Sequence, residues 1–289
     1  MNNIGVTQGR LTSPKGRKNI QFMPTNDEIS QEFRKGSFMS LDYIEWIFPA
    51  NISNPFLGGF DSQETLKYLI SNSGVSIRFI CLDYLMDLDL EDKDLTFATQ
   101  TINWIANTAL NIDCKIIIIP IYNINMNILQ IKDLLSLVLE RFHIKVAFEF
   151  LDSNSFTGIN FINDLNYGNK LNFRENTKIG CCFDIGNNCL VLGNVITPPQ
   201  KNYEGIIKEM EKYNEYNMLH HIHIKEKDKQ GNTVQLGKGI IGKKGWKEIF
   251  LFLKEIQYRG DFTLQVARGK EGDELEIVKK QIEFVKGFL

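Results

Sequence analysis

The chain has 289 residues, 43% hydrophobic and 24% charged, the balance of an ordinary soluble globular protein. Its 33 basic and 35 acidic side chains leave a formal charge of −2. That is no cationic footprint for neutralising phosphates, so nucleic acid is not an expected partner.

The start, Met1-Asn2-Asn3-Ile4-Gly5, lacks the basic and apolar regions of a secretion signal. The longest apolar run, Ile116 to Tyr122, is too short to span a bilayer and contains Pro120. Cys81, Cys114, Cys181, Cys182 and Cys189 form neither an even framework nor a C-x-x-C pair. The expectation is a cytoplasmic protein with reduced, mostly buried thiols and no membrane partner.

In chain order, β-branched runs predict strands at Asn3–Thr7, Tyr43–Ile47, Ser76–Leu82, Lys115–Ile121, Lys145–Phe150, Lys178–Phe183, Leu219–Ile224 and Phe262–Val266. Helices are predicted between them near 27–38, 61–72, 95–110, 127–141, 158–167, 202–215, 245–257 and 273–287. In the last, Leu275, Val278, Ile282 and Val285 step by three or four residues, as one buried helical stripe requires. Asp61 and Asn202 read as N-caps, and Gly74 and Gly260 as residues that follow helix ends. Eight strands alternating with eight helices predict an α/β fold, a single (β/α)8 TIM barrel forming one domain over 1–289. An open doubly wound sheet shares the local pattern, but Gly5-Val-Thr-Gln-Gly9 is not the G-x-G-x-x-G loop it usually carries.

Barrel chemistry is expected where strands end. Those positions carry Gln8 and Arg10, Glu45, Asp83, Glu149, Asp184, then His221, His223 and Lys225, and finally Gln265 and Arg268. Glu149 stands between Phe148 and Phe150, where an unpaired carboxylate is costly. Glu149, Asp184 and His223 from consecutive strands, with the Gln265 amide oxygen, form an O/N donor set for one divalent ion. Such hard, mixed donors suit Mn²⁺, Mg²⁺ or Co²⁺, with Zn²⁺ or Fe²⁺ also able to bind.

Each residue has a plainer alternative. Glu149 could be a core carboxylate paired with a neighbouring cation. Asp184 could cap a turn or helix, and Gln8 and Arg10 could close the barrel base or pair with Glu45. His220 points away from the face shared by His221 and His223, and His143 is expected at the surface. Lys225-Glu-Lys-Asp-Lys229 reads as a mostly solvated loop, although Lys225 keeps the phase of the two inward histidines. Leu236-Gly-Lys-Gly239 is too short to be a phosphate loop on its own. Phe56, Phe60 and Trp246 read as loop aromatics that an oligomer interface could use, so the oligomeric state stays open.

The landmarks Ile4-Gly-Val-Thr-Gln-Gly-Arg10-Leu11, Tyr43-Ile-Glu-Trp46, Ile80-Cys-Leu-Asp-Tyr-Leu-Met86, Phe148-Glu-Phe150, Cys182-Phe-Asp-Ile-Gly-Asn187, His221-Ile-His-Ile-Lys225 and Leu236-Gly-Lys-Gly239 run through nearly the whole chain. So does Tyr258-Arg-Gly-Asp-Phe-Thr-Leu-Gln-Val-Ala-Arg-Gly269. Together they resemble the xylose-isomerase-like TIM-barrel superfamily of sugar phosphate isomerases and epimerases, in a subgroup opening with Gln-Gly-Arg. The resemblance implies a metal held by Glu149, Asp184, His223 and Gln265, and a sugar or sugar phosphate processed through an enediolate. It implies Glu149, His221 and Lys225 as catalytic groups. Gln8, Arg10, Glu45, Asp83, Asn187 and Arg268 would surround the substrate.

The sequence departs from the ketose 3-epimerases of that superfamily at two positions. Gln265 stands where they carry a second glutamate, and an amide cannot exchange a proton as a carboxyl group does. Asn187 stands where they carry a histidine. One-base aldose–ketose isomerisation, or recruitment of His221, Lys225, Asp83 or Glu45 as a second acid or base, is therefore expected. Arg10, Lys225 and Arg268 would suit an anionic polyol. The alternatives are an inosose-type dehydratase or lyase acting on a polyol, and a non-catalytic sugar-binding barrel. Apurinic endonucleases of the same fold need three zinc ions, more than four histidines can hold.

Overall fold

The computed structural model describes residues 2–13, 26–48, 60–83, 95–121, 131, 135, 144–150, 155–166, 178–189 and 203–289. Eight parallel strands close into one barrel: β1 Ile4–Thr7, β2 Tyr43–Ile47, β3 Phe79–Cys81, β4 Ile116–Ile121, β5 Lys145–Phe150, β6 Ile179–Asp184, β7 Leu219–Ile224 and, last in the ring, β10 Phe262–Leu264. Going round, the order is β1, β10, β7, β6, β5, β4, β3, β2, so neighbours in sequence are neighbours in space. Strands β8 (Glu226–Lys227) and β9 (Thr233–Val234) form a separate antiparallel hairpin.

Two apolar layers follow from strand alternation. One face of the strands packs with the surrounding helices in the main core, from Val6 and Ile44 through Phe148 and Phe183 to Trp246 and Val285. The other face fills the barrel interior with Tyr43, Ile47, Phe79, Cys81, Ile116, Ile118, Ala147 and Cys182. All residues of Ile116–Ile121 are buried, as a strand covered on both faces must be. All five cysteines are buried. Among the described residues, no helix is long and apolar enough to cross a membrane.

Several expected elements shift. The third strand is shorter than Ser76–Leu82, because Ser76 makes only an isolated bridge to Tyr43 before pairing begins at Phe79, opposite Ile116 of β4. The eighth barrel strand ends at Leu264, not Val266. Helices run at Asn26–Phe38, Phe60–Ser73, Leu95–Asn111, Ser155–Asn166, Tyr203–Glu215, Gly242–Glu255 and Glu274–Lys286, with a single turn at Ile185–Asn188. Asp61 falls inside the first turn of its helix instead of capping it. Gly74, at φ 71°, does follow a helix end in the left-handed region. After the helix Gly242–Glu255 that conformation is taken by Gln257 (φ 53°) and not by Gly260. Most of the helix expected at 127–141, together with Asn202, His143 and Phe56, lies outside the described residues.

The segment 225–244 is more ordered than a solvated loop. Asp228 accepts the amides of Gln230 and Asn232, both at 2.9 Å, and turns the hairpin. Glu226 is fully buried, and its carboxylate accepts N–H groups from Gly237, Gly239 (3.0 Å) and Gly242 (2.8 Å) and the Trp246 indole (2.9 Å). The Gly237 and Gly239 amides are thus committed to this internal carboxylate, Leu236 N to Gln281 Oε1 (2.7 Å) and Lys238 N to Gln235 O (3.0 Å), so the segment forms no phosphate cradle. Trp246, expected as a loop aromatic, is wholly buried in its helix.

Candidate metal and substrate centre

Period-two alternation sends Ala147 and Glu149, Cys182 and Asp184, and Thr263 and Gln265 into the barrel, the second of each pair nearer the C-terminal mouth. On β7 the alternation is reset by an irregularity: Cys181 pairs with Leu219 but Cys182 with His221, so His220 is the extra residue. Bulges of this kind re-aim side chains beside active sites. Beyond it, His221 and His223 face inward, and Asp184 pairs directly with His223.

At the mouth, His223 Nδ1 lies 3.4 Å from Glu149 Oε2 and 3.9 Å from Asp184 Oδ2. The donor atoms of Glu149, Asp184 and His223 all fall within 4.8 Å of one another, and all three residues are buried. Donors about 2.0–2.2 Å from one ion lie roughly 3–4 Å apart, so the spacing fits a shared divalent cation. Asn187 braces both carboxylates, through its backbone amide to Asp184 Oδ1 (2.7 Å) and its side chain to Glu149 Oε1 (3.1 Å). Asp184 is also the N-cap of the turn Ile185–Asn188, so its capping and site-facing roles coexist on its two oxygens.

Gln265 sits beside this cluster with its amide oriented by two neighbours. Its nitrogen meets His223 Nδ1 at 2.9 Å, and its oxygen accepts from Lys225 Nζ at 2.9 Å. Lys225 Nζ is also 2.6 Å from Asp184 Oδ2. Burial opposes ionisation of Asp184, but Lys225 and His223 outweigh it and hold the carboxyl below its usual range.

One layer deeper lies a polar column. Glu45 Oε2 is 3.0 Å from His223 Nε2 and 3.2 Å from His221 Nε2. His221 Nε2 also meets Thr263 Oγ1 at 2.8 Å, and Thr263 Oγ1 lies 3.1 Å from the Tyr43 hydroxyl. The Cys182 thiol, pushed up to about 12 mainly by burial, lies 3.3 Å from His223 Nε2. Burial works against a charge on Glu45, yet His223 and His221 hold it well below the carboxylate range. The His221 ring stacks on Phe79 with centroids 3.8 Å apart, and burial lowers its pKa. Glu45 and His221 are both 0% exposed. Both lie against His223 and are as buried as His223 itself.

The remaining expected residues occupy the rim. Gln8 clips β1 to β2, donating to Ile47 O (3.1 Å) and accepting from Ile47 N (3.0 Å). Gly9, at φ 73°, provides the left-handed turn between Gln8 and Arg10. Arg10 is buried; burial and the nearby Arg268 disfavour its charge, while Glu32 favours it. Glu32, which sequence reading missed, accepts Gly9 N (3.0 Å), Leu11 N (3.1 Å) and the Thr12 hydroxyl (2.5 Å), and so organises the whole Gln-Gly-Arg turn. Its only sequence signal was an acidic residue on the inner face of an amphipathic helix. Asp83 accepts from the Cys81 thiol at 3.3 Å, and burial, with Glu149 and Glu45 adding to it, pushes its carboxyl up to about 7.

A family model described as xylose isomerase-like TIM barrel matches residues 39–288. Among solved structures, the IOLI protein with a binding zinc atom has a TM-score of 0.71 at 13% identity, covering 99% of each chain. A xylose isomerase domain protein from Planctomyces limnophilus has a TM-score of 0.67 at 18% identity, covering 99% of this chain and 96% of the other. D-allulose 3-epimerase from Methylomonas sp., in complex with D-allulose, has a TM-score of 0.68 at 12% identity, covering 100% and 97%. No curated protein matches the sequence. At these identities the structural likenesses establish the fold.

Proposed function

As the chain belongs to the xylose isomerase-like TIM barrel family, we propose that it is a divalent-metal-dependent isomerase or epimerase of a sugar or sugar phosphate, acting through an enediolate. The observation that carries this reading is the convergence of Glu149, Asp184 and His223 at the barrel mouth. Similar folds are described with a zinc atom and with bound sugars, which supports a metal and a polyol as the ligands of this chain. Glu149, Asp184 and His223 would hold the ion, with Gln265 adjoining. Bound there, the ion would stabilise negative charge on the substrate's oxygens and so acidify the neighbouring C–H.

The chain's own groups divide the remaining work. Glu149, fixed by Asn187, is the base that takes a proton from a carbon beside the carbonyl. Glu45 holds the proton of His223 on Nε2 and so presents Nδ1 as a ligand atom. Gln265 cannot act as the second carboxylate, which favours one-base proton transfer by Glu149 or a second proton carried by Asp83. Arg10, with Arg268 nearby, would supply positive charge for an anionic substituent.

The test is proton NMR of the protein with Mn²⁺ in D₂O, against free and phosphorylated ketoses and aldoses. Deuterium entering at a carbon beside the carbonyl, lost in Glu149→Gln, is the expected result. Sugar binding without exchange across the panel would overturn the enzyme reading in favour of a binding protein, and loss of a hydroxyl would point to a dehydratase. Mass spectrometry should find about one divalent ion per chain, absent in His223→Ala.

A further inference from the structure

The centre already contains a cation of its own. Lys225 follows β7 in the inward phase of His221 and His223, and its side chain is only 13% exposed. Its ammonium lies 2.6 Å from Asp184 Oδ2 and donates to Gln265 Oε1 at 2.9 Å. Because Gln265 gives its oxygen to Lys225, its amide nitrogen is turned onto His223 Nδ1 at 2.9 Å. One side chain thus engages two of the four donors directly and covers a third through the amide.

Position 265 sharpens this competition. A carboxylate there could offer one oxygen to the lysine and one to an ion, whereas an amide has a single acceptor oxygen. The charges point the same way: an ammonium beside Asp184 offsets one of the two carboxylates that would attract an ion. At a few ångströms in a buried site, its repulsion of a divalent cation is strong.

We propose that Lys225 competes with the divalent ion, its ammonium holding the Asp184–Gln265 side of the centre so that loading requires the lysine to swing out and the amide to rotate. The inference rests on the metal reading above. Displaced toward the mouth, the ammonium becomes available to a substrate oxygen, so ion loading and assembly of the substrate site are one event.

Titration of Mn²⁺ into the purified full-length protein, followed by calorimetry and by the electron paramagnetic resonance of free Mn²⁺, tests this without activity. Lys225→Met should bind Mn²⁺ tighter than wild type, by roughly tenfold or more. Lys225→Arg, which keeps the charge, should show no such gain. Adding Asp184→Asn to Lys225→Met should abolish the tight binding. Thermal melts check that each variant folds, and Lys225→Gln is the second neutral variant should the methionine not fold. Equal or weaker binding by the neutral variants would overturn the competition while leaving the metal reading intact. No binding by any variant at millimolar Mn²⁺, with Gln265→Glu included, would overturn both.

Discussion

Glu45 Oε2 lies 3.0 Å from His223 Nε2, and the opposite nitrogen of that ring, Nδ1, consequently faces Glu149 and Asp184. A buried carboxylate thus sets which histidine nitrogen is available at the mouth. Such outer partners typically change metal affinity by about 10–100-fold. Glu45→Gln, which preserves volume but not charge, should weaken Mn²⁺ binding by that order in calorimetry. Unchanged affinity would show that β7 alone orients the ring.

Glu149 is expected to carry proton transfer. Glu149→Gln should slow deuterium exchange into substrate by roughly 10²-fold or more. Asn187→Ala frees Glu149 Oε1 and one brace on its position, and should cause a smaller fall in kcat than Glu149→Gln. An Asn187→Ala defect as large as that of Glu149→Gln would instead give Asn187 a direct part in the chemistry.

Glu226 gathers three glycine amides and an indole N–H from the segment 237–246. Glu226→Ala strands four buried or half-buried donors and should cost about 3 kcal/mol or more in urea unfolding. Amide hydrogen exchange at Gly237, Gly239 and Gly242 should accelerate far more than in the helix Glu274–Lys286. Uniform acceleration would mean global loss of stability and not local release of this loop.

Burial pushes the Glu32 carboxyl up to about 7, despite the donors that favour its ionised form. Its folded pKa is raised, so the native state binds the proton more tightly than the unfolded chain. The contribution to stability is fully present below the unfolded value of roughly 4.5 and is lost as pH rises through about 7. Glu32→Gln should flatten that part of the stability–pH curve. It should also destabilise the protein by about 1–3 kcal/mol at low pH, because its amide meets one backbone N–H with another donor. A slope identical to wild type would assign the pH dependence to Asp83, whose carboxyl is raised to a similar value.

Much of the barrel was readable because its signals are local. The runs Lys145–Phe150 and Leu219–Ile224 match their strands residue for residue, since apolar alternation within six residues reports strand geometry. The same rule placed Glu149 and Asp184 at strand ends without knowledge of any partner. Element ends were less legible: Gln257 in the left-handed region and the early end at Leu264 depend on packing around them.

By itself, the sequence determined the order of the strands, the position of Glu149 and Asp184 at strand ends, and an amide instead of a carboxylate at position 265. Only the tertiary structure decided who meets whom. Glu45 and His223 are 178 residues apart, and the bulge that skips His220 sets the inward phase of the β7 histidines. The burial of Glu226 by glycine amides and the placement of Lys225 between Asp184 and Gln265 were equally out of reach. Periodicity records which face of a strand a residue occupies. Barrel closure alone brings those faces together and determines which charges share one small buried space.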